Sequence, residues 1–323
     1  MSTVDLTREG SLGLPALGDG PAAIAARSPL QLFWRRLRQD RVALGALAFI
    51  VALVVLAVAA PLVVKLFGAP PPNRQSGAAL DQFGTPTGPS AHHLFGVDQL
   101  GRDVFSRVVY GARVSLEVAF VSTGIAVLVG VVMGMVAGYY RGWVDVVLAR
   151  LMDVLLAFPI LLLGIGLASA CSLGHGCGPV QPGLTVVVVV IALATWPYIA
   201  RIIRGQVLSL REKEFVEAAR SLGASTPRIL FHEILPNLVA PIVVYTTLIV
   251  PTNILFEAAL SFLGVGVQPP TASWGQMLAD AVPIFDMAWW YMLFPGLALL
   301  LTVLAFNLVG DGLQDALNPR TAR

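Results

Sequence analysis

The chain has 323 residues, 56% of them hydrophobic and 12% charged, with a formal net charge of +2 and a mean hydropathy of +0.78. A soluble domain carries about 25% charged residues, so a water-soluble core is excluded and burial in a bilayer is expected. Neither Lys65 nor Lys213 is followed by Ser or Thr. The Gly-Lys-Ser/Thr of a phosphate-binding loop is therefore missing, and any nucleotide energy has to come from another chain.

Residues 1–41 read as a tail. Its first thirty or so positions are rich in Gly, Ala and Pro and lack periodicity. It ends in Phe33-Trp34-Arg35-Arg36-Leu37-Arg38, a mixture of aromatic and basic residues that suits a short helix at a membrane surface. Val42–Val64 is the first uncharged run, and the first transmembrane helix is placed at 42–66. Small residues at Ala57–Ala60 resemble a signal-peptide cut site. However, the run exceeds the usual ~7–15-residue signal core and about forty residues precede it, which favours an uncleaved span. Residues 67–113 then read as a long loop.

Five more apolar runs follow: Val118–Gly138, Val154–Ala170 (with Arg150 and Asp153 at its entry), Leu184–Ala200, Leu238–Gly264 and Trp290–Gly310. Each approaches the ~20 residues that a membrane helix needs. Helices are the expected form, because in lipid each backbone group must be satisfied within its own segment. The runs are continuous rather than alternating, which argues against a barrel. The reading is an all-α polytopic membrane protein with six transmembrane helices, a core at 114–312 and a tail at 313–323.

Six spans put both termini on one side, and the basic residues choose the side. Of the 21 Lys and Arg, only Lys65, Arg74, Arg102, Arg107 and Arg113 fall on one face, spread from the end of the first span along the long loop that follows. The remaining sixteen collect on the other face, with the termini, with Arg141 and Arg150 between the second and third spans, and with the loop between the fourth and fifth spans. That face is assigned to the cytoplasm. Glu257 is the one ionisable residue within the fifth run. Such a group is functional by default and needs a partner; lining a pathway and bonding to a neighbouring helix both remain open for it.

The loop at 205–236 contains SLREKEFVEAARSLGASTPRILFHEILPN. Ser209 and Glu212 fit a capping box, which predicts a helix from Leu210 to Leu222 with a left-handed stop at Gly223. Phe215, Ala219 and Leu222 form one apolar stripe at helical spacing. Thr226 is expected to cap a second helix with Pro227 at its first position, and Pro236 and Pro241 to disturb the entry to the fifth span. A helix, a tight turn and a helix would stand off the membrane. The stripe suits a groove on a partner, although a solvated hairpin joining two spans would show the same pattern.

Glu217-Ala218-Ala219, Gly223 and Leu235-Pro236 resemble the EAA loop of type I ABC-importer permeases. Two further stretches resemble the C-type subunits of the oligopeptide, dipeptide and nickel branch of that family: Gly96-Val97-Asp98-Gln99-Leu100-Gly101-Arg102-Asp103, and Glu257–Gly275 (EAALSFLGVGVQPPTASWG). The resemblance implies the type I permease fold and no enzyme activity. It makes the loop a coupling helix in which Glu217 contacts an ATPase, Ala218 and Ala219 allow close approach, and Gly223 turns the chain. It also implies a second permease subunit, one or two ATP-binding subunits using ATP and Mg, an extracytoplasmic substrate-binding protein and a prokaryotic plasma membrane. No cofactor on this chain and no nucleic-acid partner are implied.

Di- and oligopeptides are the cargo expected, with nickel, glutathione or sugars as alternatives. An ATP-independent secondary transporter or channel is the competing class. Such proteins show paired intramembrane ionisable groups or repeated broken helices, and the sequence has neither. A membrane enzyme is a third reading, but the His residues are scattered and no His-Glu-x-x-His run occurs. Cys171 and Cys177 stand apart from the resemblance. In an oxidising compartment they are candidates for a disulfide; two unpaired small residues are the other reading.

Overall fold

The computed structural model describes residues 29–172 and 183–317. Regular structure there is helical, apart from two isolated β-bridges. Helix α1 (Pro29–Gln39) leads to Asp40, whose carboxylate accepts the amides of Val42 and Ala43 and so caps α2 (Arg41–Val58). The apolar run read as one span breaks at Ala59. Pro61, in the first turn of α3 (Ala60–Leu66), has no amide to continue α2.

After an irregular segment, α4 (Val104–Tyr140) starts inside the stretch expected to be loop, capped by the Asp103 carboxylate on the Ser106 amide. Its 37 residues span about 55 Å at 1.5 Å per residue, more than the ~30 Å hydrocarbon core. Helices α5 (Gly142–Ala157) and α6 (Ile160–Ser172) meet at an 87° bend. The expected third span is therefore a bent pair. Pro159 lies in the break and biases Phe158 towards extended backbone (φ −81°, ψ 130°).

Helix α7 (Leu184–Leu210) is followed by α8 (Glu214–Ser221) and α9 (Thr226–Arg228). A π-helical turn (Ile229–Ile234) then runs without a break into α10 (Leu235–Phe262). Last come α11 (Trp274–Ala281) and α12 (Trp289–Leu317). Helices α2, α4, α7, α12 and the Thr226–Phe262 stretch are each long and apolar enough to cross a membrane, and the α5–α6 pair makes six if counted as one crossing.

Lipid tails are as apolar as Leu, so packing between spans depends on close fit rather than on water exclusion. The closest fit joins α4 to α7. Gly130, Gly134 and Gly138 recur at four-residue spacing on α4, and a methyl added at Gly134 would sit 2.6 Å from the Ala200 carbonyl oxygen and 2.8 Å from Ile203 Cβ. Only glycine lets these two backbones approach so nearly. Helix α10 lies across this pair, and α2 flanks α12 through a cluster containing Ala46, Ile50, Ala305 and Val309.

Candidate functional site

The loop carrying Glu217 is built on the end of α7. That helix continues through Ser209 to Leu210, so Ser209 cannot cap a new helix and the expected capping box does not form. Helix α8 starts at Glu214 instead, after a turn at Arg211–Lys213, and Glu212 pairs with Arg141 at 2.7 Å. The far end matches the expected stop: Gly223 adopts φ 79°, and the Gly223 and Ala224 amides donate to the Arg220 and Ala219 carbonyls at 3.0 Å. Ser225 rather than Thr226 holds the cap position of the next helix, and Pro227 sits in its first turn.

Pro236 and Pro241 do not interrupt the chain's entry into α10. Pro236 follows directly on the π-helical turn, where wider hydrogen bonding absorbs the carbonyls a proline leaves unserved. The loop's second helix and the fifth span are thus one continuous rod.

The apolar stripe is also different from that expected. Val216 is fully buried, packed in one cluster with Met152, Val207, Ile229 and Ile234, and Ala219 and Ala224 rest against the same cluster. Phe215 is 38% exposed and Leu222 88% exposed. The register of α8 is set by its contact with the π-helical turn, which the sequence alone does not show. Glu217, Ala218, Gly223 and Pro236 are exposed and Leu235 is half-buried. Phe231, 56% exposed, lines a neighbouring hollow of about 530 Å³ with Pro227, Arg228 and His232. It completes the surface and was missed because it belongs to no stripe of α8.

The base beneath this surface is fastened by charge. Arg204 on α7 grips Asp145 on α5 through two bonds of 2.5 and 2.8 Å. Arg201, one turn before Arg204 on α7, pairs with Asp153, about two turns after Asp145 on α5. Arg211 donates to the Tyr139 carbonyl at 2.5 Å and stacks over that residue's ring at 5.8 Å. Exposed pairs contribute little singly, but these three tie α4, α5 and α7 together.

Above this base, α5, α6, α7 and α10 enclose a cavity of about 510 Å³. Tyr198, Tyr245, Thr195 and Thr252 supply hydroxyls to an otherwise apolar wall, and no charged side chain lines it. Glu257 is not among the lining residues. It is fully buried and accepts hydrogen bonds from Ser115 on α4 and Ser261 on α10, both at 2.8 Å. One turn away, Asn253 donates to Thr123 at 2.8 Å and accepts from Thr195 at 3.1 Å. The two residues form a polar seam linking α4, α7 and α10. The pairing proposed for Cys171 and Cys177 lies outside the described residues, because position 177 does.

The opposite end carries the second motif, folded shut. Asp98 accepts the Leu100 and Arg102 amides at 2.9 Å and the Arg102 side chain at 2.6 Å, and Arg107 approaches it at 3.7 Å. Arg102 also reaches Asp280 at 3.7 Å, which accepts from Tyr291 at 3.3 Å. Trp290 donates to the Val97 carbonyl at 3.1 Å. Gly101 (φ 69°) has no room for a side chain, since an added methyl would lie 2.1 Å from the Ser76 carbonyl oxygen. His93 pairs with Asp103 at 2.8 Å.

Residues 130–323, which include the α7–α10 loop, match the family described as binding-protein-dependent transport system inner membrane component. The chain belongs to that family. Residues 28–80 also match the N-terminal transmembrane domain of oligopeptide transport permease C. The dipeptide transport system permease protein of Alkalihalophilus pseudofirmus is 42% identical over 91% of both chains. The glutathione transport system permease protein of Escherichia coli is 42% identical over 91% of both. Among solved structures, an inward-facing methionine ABC transporter superposes with a TM-score of 0.54 at 19% identity, over 66% of this chain and 96% of the other. This last likeness establishes the fold, that of a type I importer permease. The protein is a membrane-embedded permease subunit of a binding-protein-dependent ABC importer, and its relatives are transport subunits rather than enzymes.

Proposed function

We infer that this permease moves short peptides inward, forming half of a pathway whose other half comes from a second permease subunit. The α8 face is cytoplasmic, as are both termini, and it docks on an ATP-binding subunit that uses ATP and Mg. The segment at 67–103 faces outward, towards a substrate-binding protein. The observation that carries the reading is the two-sided build of α8. Val216 anchors it to the core while Phe215, Glu217, Ala218 and Leu222 stay in solvent. An apolar side chain as exposed as Leu222, beside Phe215 and Phe231, suits burial against a partner.

Peptide cargo is supported by the names of the two relatives, since a dipeptide and glutathione are both short peptides. The cavity agrees with it: a wall without fixed charge suits a cargo selected elsewhere and bound only weakly in passage. Closure of the ATPases would push on α8, and the α9–α10 rod would carry the movement into the membrane. Glu257 serves as a fastener between helices. Replacing Glu217 and Leu222 with Ala tests the reading. Peptide uptake should fall at least tenfold with unchanged membrane insertion, and crosslinks from Ala218 should reach the ATPase. Unchanged uptake at equal abundance would refute it.

A further inference from the structure

A groove of about 260 Å³ runs between α2 and α12 and shares no lining residue with the cavity or with the hollow beside α8. Val42, Gly45 and Phe49 line one wall, and Leu301, Leu304 and Leu308 the other. Both sets follow helical i, i+3, i+7 spacing, so each wall is one continuous helix face. At the start of α2, Gly312 of α12 sits against Ala43 and Asp40. The groove is open at Gly45, where an added methyl would meet nothing within 4 Å.

One end of this apolar groove is lined by Arg41. Arg41 is exposed and pairs with no carboxylate in any ion pair found among the described residues. It is the first residue of α2, at the end of the apolar run, which is headgroup depth. Its neighbour Asp40 is occupied in capping α2. Just before it, α1 exposes Trp34, Arg35 and Arg38 while burying Leu37 against Ala43 and Ala316. An aromatic and basic helix held in that position marks a lipid interface.

We propose that this groove is a specific site for an anionic phospholipid. One acyl chain lies between α2 and α12, and the phosphate is held by Arg41, with Arg35 and Arg38 exposed on the preceding helix. The charge favours lipid over a protein helix, because a cation stands at one end of an otherwise apolar groove. A cation at the mouth of an apolar groove complements a molecule with one anionic end and one hydrocarbon end.

The test uses the full-length chain purified in detergent and titrated with phosphatidylglycerol or phosphatidylcholine. Native mass spectrometry counts the lipid retained, and thermal unfolding reports its effect. The wild-type chain should retain phosphatidylglycerol at least fivefold better than phosphatidylcholine. Arg41→Gln should abolish that preference, and Gly45→Leu should lower retention of both lipids by filling the groove. Both variants should melt as the wild type does without added lipid. Equal retention of the two lipids, or retention indifferent to both substitutions, would overturn the proposal and leave only the general lipid annulus.

Discussion

The two ends of this permease use charged residues in opposite ways. At the end formed by residues 67–103, the start of α4, α11 and the start of α12, Asp98, Arg102 and Arg107 are buried and answer one another, and buried Asp103 is met by His93. At the α8 end, Glu217 and Arg220 are exposed, and beside them Leu222 and Phe231 present apolar surface to water. Both motifs are equally prominent in the sequence. A motif that satisfies itself holds the fold, whereas the α8 motif keeps its charged and apolar side chains exposed on its outer face.

Substitutions at the two ends should therefore separate stability from transport. The largest loss of stability is expected for Asp98→Ala, which strands Arg102 and Arg107 in the interior. Removing one partner of a buried charged group costs about 3–5 kcal/mol, read as loss of membrane abundance and a lower unfolding temperature in detergent. If Asp98→Ala remains as stable as the wild type, the closed end is not structural.

Glu257→Ala should come next. It leaves the Ser115 and Ser261 hydroxyls without their acceptor, at about 1–3 kcal/mol. Glu257→Gln keeps an acceptor and should recover much of the stability and uptake. Recovery of stability without uptake would instead give Glu257 a part in the pathway. Arg141→Gln removes an exposed pair with Glu212, and unfolding should shift by no more than about 1 kcal/mol. The smallest effect on stability is expected at the α8 surface, where Leu222→Ala should stay within about 0.5 kcal/mol. That same variant should nevertheless lower peptide uptake markedly, and a loss of abundance matching the loss of uptake would erase the contrast between the ends.

Much of this architecture was legible in the chain because bilayer burial leaves a simple record. An uncharged run of about twenty residues needs no tertiary information to be read as a span, since lipid offers the backbone no other partner. The left-handed stop at Gly223 was legible for a similar reason, being local backbone geometry. The breaks at Ala59 and Phe158–Pro159 were harder to read. Hydropathy runs straight through them, and only the missing proline amides at 61 and 159 marked the sites.

What the sequence determined by itself was the number and place of the apolar runs and the position of the charged loop between α7 and α10, which depend on composition and near neighbours, while the family was carried by the motifs at 96–103, 217–223 and 257–275. The tertiary structure alone decided that α8 turns Val216 inward and Leu222 outward, that Pro236 is absorbed by a π-helical turn, and that Glu257 meets Ser115. Those outcomes depend on which distant helix face lies opposite each residue, and spacing along the chain carries no record of that.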